Sequence, residues 1–133
     1  MKYRRLDFNE DYSILKDFFE HYWGEGMAPT PDRCSSDGII AEDEEFGIVG
    51  GVFIYFTNNS QMAILGFPVL NPKYNLDRAS VMMSMIERAE FWARLLGYTY
   101  MNTWSGVKPV KKYLELSQYD KADQCVDHYI KRL

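Results

Sequence analysis

Residues 62–96 read MAILGFPVLNPKYNLDRASVMMSMIERAEFWARLL. An apolar run with strand character at 61–70 gives way to a polar loop, VLNPKYNLDRAS at 69–80, and then to a pattern of helical spacing. Ala79, Met82, Met83, Ile86, Ala89, Ala93 and Leu96 form one apolar face over 76–96, and Gly97 is placed to end the helix. A further strand follows at 98–104. A helical crossover joins the two strands, so 98–104 should lie parallel to 61–70. Strand, loop and helix N-terminus in that order can cradle a phosphate, because orphan amides and the helix dipole both face an anion. Glycines normally let the backbone approach so closely, and this loop has none.

Upstream, the pattern divides into a strand at 39–43, a turn near Glu44 and Glu45, a strand at 46–57 and a turn at Asn58-Asn59-Ser60 leading into 61–70. Turns this short make an antiparallel meander. Ahead of it, GEGMAPTPDRCSSDG at 24–38 holds three Gly and two Pro in 15 residues, a surface loop with room for one helical turn. Tyr3-Arg4-Arg5-Leu6 reads as a short strand. Ile14, Leu15, Phe18, Phe19 and Tyr22 then mark a helix with Asp11 or Ser13 as its cap. Downstream, 107–116 forms a shorter helix with Pro109 in its first turn, and 123–133 a last strand. The order β-α-loop-β-β-β-α-β-α-β is mixed α/β, read here as one domain over 1–133.

Hydrophobic residues make up 47% of the 133, which predicts a packed core. Fifteen basic residues against 19 acidic give a net charge of −4 and no footprint for nucleic acid. No stretch approaches a membrane span, and MKYRRLDFNEDY is too polar for a signal peptide. Cys34 and Cys125 are expected as free thiols in a reducing cytoplasm, with no metal site.

The element order and several short motifs resemble the GNAT superfamily of acyl-CoA-dependent N-acyltransferases. Arg4-Arg5-Leu6 with Asp11-Tyr12 is similar to that family's opening strand and helix cap. Ile40-Ala41-Glu42-Asp43-Glu44 followed by Gly47-Ile48-Val49-Gly50-Gly51 resembles its second hairpin, and Pro72-Lys73-Tyr74 stands where the family often writes Pro-Glu-Tyr. Gly97-Tyr98 ends the long helix as in the family, and the stretch 113–119, YLELSQY, parallels its Phe-Tyr-x-x-x-Gly-Phe. The resemblance implies a GNAT-like mixed sheet with a splayed central strand pair, acetyl-CoA as cofactor and a primary amine of a small molecule or protein as acceptor. It also implies a homodimer through sheet edges. A second reading is an inactive interaction or assembly protein of that fold, as in bacteriophage internal virion or host-directed proteins, located in the virion rather than the cytoplasm.

By the same resemblance, the family's pyrophosphate loop maps onto Asn75, Arg78 and Ser80, with Ala79 between the last two. Leu70 supplies the nearest strand amide, since Pro68 has none to donate. A proline there fits a bulge or splay point. Arg78 departs from the family's glycine. Either its guanidinium pairs with phosphate or it fills the site, and a capped helix start with no ligand stands open beside a working cradle. The family's helical Tyr falls on Leu114, with Tyr113 one residue away as the candidate acid for the departing thiolate. His21 has the chemistry of a base near neutral pH. Tyr22, Trp23, Trp104 and Ser105 are the residues expected around the acceptor. The acids at 42–45 read as a solvated turn.

Overall fold

The computed structural model describes residues 1–103 and 108–120. Strand β1 (Lys2–Arg5) leads to helix α1 (Phe8–Trp23). A single 3-10 turn (Pro31–Arg33) interrupts the Gly/Pro loop before β2 (Asp37–Asp43), β3 (Gly47–Phe56) and β4 (Met62–Leu70). Helix α2 (Arg78–Leu95), β5 (Tyr100–Asn102) and α3 (Lys108–Leu116) complete the described elements. The five strands lie in chain order. Strands β1 to β4 are antiparallel, and β5 runs parallel to β4 as the crossover requires. The expected last strand at 123–133, with Cys125, lies outside the described residues. Cys34 is a free thiol, and burial pushes it up to about 11. No helix among the described residues is long and apolar enough to cross a membrane.

Strand alternation sorts the side chains onto two faces. Ile40, Phe53 and Val69 meet Leu15, Phe18 and Phe19 of α1. Ile39, Val52, Ile54, Leu65 and Leu70 meet Val81, Met82, Met85, Ile86 and Ala89 of α2. Here the structure corrects the expected helix face. Val81 and Met85 are buried in α2, Met83 is only half-buried, and Leu96 lies beyond the helix and is exposed. The crossing angle of α2 on a twisted sheet selects the i, i+4 rows 81–85–89–93 and 82–86.

The start of α1 is a second correction. Asp7, not Asp11 or Ser13, is the N-cap, and Asp11 is the fourth residue of the helix, 2% exposed. Its Oδ2 accepts from the Asp7 amide at 2.8 Å, and Arg4 grips the carboxylate with Nη1 and Nη2, both at 2.8 Å. Arg4 Nε also donates to Glu42 at 2.7 Å. Glu42 is therefore a paired residue of β2 and no part of a solvated turn. Asp43 caps that turn, accepting from the Glu45 and Phe46 amides at 2.8 and 3.2 Å.

Pro68 lies where two strands change their relationship. Gly51 pairs with Val69 and Phe53 with Gly66, so Val52 alone opposes both Phe67 and Pro68. That is a β-bulge, which accommodates a residue without an amide proton. Phe67 takes φ 49, the left-handed region, and packs edge-on against Phe19 and Phe53 at centroid distances of 6.3 and 6.4 Å. The aromatic contacts hold a backbone conformation that bulky residues otherwise avoid.

Candidate functional site

The ladder between β4 and β5 covers Met62–Tyr100, Ala63–Met101 and Ile64–Asn102. Thr103 then donates its hydroxyl to the Leu65 carbonyl at 2.8 Å. Among the described residues, nothing pairs with β4 beyond that point on this side, although the strand continues to Leu70. On the other side, Asn71 donates its amide to the Val49 carbonyl at 2.6 Å. Alternation along the strand therefore turns the Leu70 amide to the open edge. Pro68, the other residue facing that way, contributes no donor.

The loop after β4 is held by its own side chains. The Asn71 side chain donates to the Ile48 carbonyl at 3.1 Å and accepts from the Lys73 amide at 2.9 Å. Asp77 caps α2, accepting from the Ser80 amide at 3.2 Å. The Val81 amide reaches the Asp77 carbonyl, and the Arg78 amide the Leu76 carbonyl, both at 3.1 Å. Arg78 folds back over the loop. Its Nη1 donates to the carbonyls of Asn71 and Tyr74 at 2.9 and 2.5 Å, and its Nη2 to the Tyr22 hydroxyl at 2.8 Å. Three of the first four amides of α2 are thus satisfied from within, and a carboxylate stands at the opening of the helix. Asn75 is exposed on the loop.

The Arg78 bond to Tyr22 brings the last turn of α1 to the start of α2. His21 lies beside it, edge-on to the Tyr22 ring at 5.2 Å. His21, Tyr22 and Trp23 are all exposed, and Trp23 is tilted against Phe19 at 5.0 Å. The structure therefore gathers Tyr22, Arg78, Ala79 and Ser80 around the start of α2, with Leu70 at the end of β4. Trp104 and Ser105 lie outside the described residues.

Beside Ala79, a hollow of about 520 Å³ separates the start of α2 from α3. Lys108, Pro109, Lys112, Tyr113 and Leu116 form its other wall. The volume lies within the range of small-molecule sites, commonly 300–1,000 Å³. Tyr113 lines it and Leu114 does not, although both pack against the core below α2. Position 113 thus presents a phenol to the hollow where the family alignment points to Leu114. The two lysines were missed by sequence reasoning. Their only signal was a four-residue spacing on a short amphipathic helix, which also describes an ordinary solvated face. A second hollow, about 470 Å³, lies at the other end of α2 among Glu90, Arg94, Tyr98 and Tyr119, away from every candidate. Burial pushes both Glu90 and Tyr119 up there.

The mixed sheet, with β5 parallel to β4 and a bulge in β4, matches solved structures. An aminoglycoside acetyltransferase, meta-AAC0020, from an uncultured soil metagenomic sample, in complex with sisomicin, superposes with a TM-score of 0.72. The alignment covers 99% of this chain and 96% of that one at 15% identity. This is the GNAT fold. The GNAT acetyltransferase AAC(6')-Iy, in complex with a bisubstrate analog, CoA-S-monomethyl-acetylneamine, gives 0.71 at 13% identity, covering 99% and 98% of the two chains. A Trypanosoma brucei acetyltransferase gives 0.64 at 15%, covering 97% and 99%. No protein-family model and no curated protein matches the chain.

A coenzyme A thioester fits the residues present, with one qualification of place. The Leu70 amide points away from β3, and the hollow by Ala79 has the volume and the cationic rim. The amides of α2 are already largely occupied.

Proposed function

We propose that the chain transfers an acetyl group from acetyl-CoA to a primary amine. The observation that carries this reading is the hollow lined by Ala79 and Tyr113 between the start of α2 and α3, in a chain of the GNAT fold. Neighbours of the same fold that act on aminoglycosides, one of them bound to a CoA bisubstrate analog, support the reaction class. The bound thioester supplies an activated acyl group. The amine nitrogen forms the new C–N bond as the C–S bond breaks, the ammonium proton leaves to a base, and the thiolate takes a proton from an acid. In this chain Tyr113 is the proposed acid. His21 is the proposed base, directly or through water, and Tyr22, Trp23, Trp104 and Ser105 are the proposed surroundings of the acceptor. Leu70, Asn75, Arg78, Ala79 and Ser80 border the thioester arm.

Thermal unfolding with and without acetyl-CoA tests binding. Ligand at 100 times its Kd should stabilise the fold by about 2.7 kcal/mol. Tyr113→Phe should keep that shift and lower turnover of an amine panel by roughly 10²-fold. An absent shift at millimolar acetyl-CoA would instead favour a non-catalytic interaction module. The Asp77 cap on α2 is the observation that speaks for that second reading.

A further inference from the structure

We infer that Lys108 and Lys112, on one wall of α3, hold the phosphate groups of the acyl-CoA nucleotide, in place of the amides of α2. The inference rests on the acyltransferase reading and specifies which groups bind the anion. Its first support is the occupied helix start. The Ser80, Val81 and Arg78 amides each have an internal acceptor, the Arg78 guanidinium is spent on two carbonyls and a hydroxyl, and Asp77 adds a negative charge. A diphosphate brought there must displace the cap and approach a carboxylate.

The second support is the opposite wall. Lys108 and Lys112 are four residues apart and line one side of a hollow whose other residues, Ala79, Pro109, Tyr113 and Leu116, bring no acid to it. Among the described residues, neither lysine forms an ion pair. Like charges at this spacing repel by a few tenths of a kcal/mol. An anion between them reverses that sign. The hollow also takes Ala79, from the first turn of α2, as its facing wall, so an anion held by the lysines lies beside the helix start.

The experiment measures Kd by calorimetry for coenzyme A and for pantetheine, which lacks every phosphate. The wild type is compared with Lys108→Glu/Lys112→Glu and, should charge reversal unfold α3, with Lys108→Ser/Lys112→Ser. Circular dichroism checks the fold of each. The expected result is at least a 100-fold loss of coenzyme A affinity on reversal, about 10-fold on neutralisation, and unchanged pantetheine binding. Wild-type affinity should also fall steeply with salt, because the contacts are ionic. Folded variants that bind coenzyme A as the wild type does would overturn the lysine assignment and leave the acyltransferase reading standing. A wild type that binds neither compound would overturn both.

Discussion

Arg4→Met is expected to destabilise the protein by about 3 kcal/mol, because it strands a carboxylate with no route to water. Asp11 is 2% exposed and takes both of its guanidinium bonds from Arg4, which also reaches Glu42. One side chain thereby ties β1, α1 and β2 together. Burial pushes the Asp11 carboxyl up, but the Arg4 hydrogen bonds, the Asp7 amide and the Arg4 charge together hold it below the usual carboxylate value. The sign of the pH dependence follows. A lowered folded-state value contributes stability that is fully present above the unfolded value, about 4, and is lost as pH falls through the folded one. Urea unfolding at pH 7 and pH 3 checks this, with Arg4→Met closer to wild type at the lower pH. Equal losses at both pH values would refute the electrostatic account. Arg4→Met/Asp11→Leu should recover much of the loss at pH 7, since an apolar pair of similar volume avoids the desolvation cost.

Gly50→Ala should cost about 3 kcal/mol, the upper part of the range for overpacking. A β-carbon at position 50 would stand 2.7 Å from both the Leu70 Cδ2 and the Val69 carbonyl oxygen, and 3.3 Å from Met85 Cε. A methyl on a flexible side chain can yield. The Val69 oxygen belongs to β4 itself, so relief requires the strand to move away from β3. The displaced segment carries the Leu70 amide, and the proposed thioester contact should weaken with it. Thermal unfolding followed by coenzyme A titration checks both parts. A melting temperature within a degree of wild type would show that β4 has slack at this point.

Much of the architecture could be read locally. The period-2 runs at 39–70, the helical spacing after residue 76 and the crossover to 98–104 needed no knowledge of distant contacts, and Pro68 pointed to the bulge because a proline lacks the ladder donor. The errors arose where tertiary contacts override local pattern. Asp11 looked like a cap until Arg4 drew it into the interior. Arg78 had two outcomes in sequence, and its bonds to the loop carbonyls and to Tyr22, 56 positions away, could not be read there. The stripe on α2 shifted towards Val81 and Met85 because the twist of the sheet sets its orientation. Lys108 and Lys112 acquire meaning only from the wall they face, which is contributed by Ala79.

The bulge at Phe67 and Pro68 has a bearing on solubility as well as on ligands. A strand edge without a partner presents hydrogen-bonding groups that a neighbouring molecule's strand can annex, the usual beginning of edge-to-edge polymerisation. Proline within β4, kinked by the residue before it, spoils the template for a second strand.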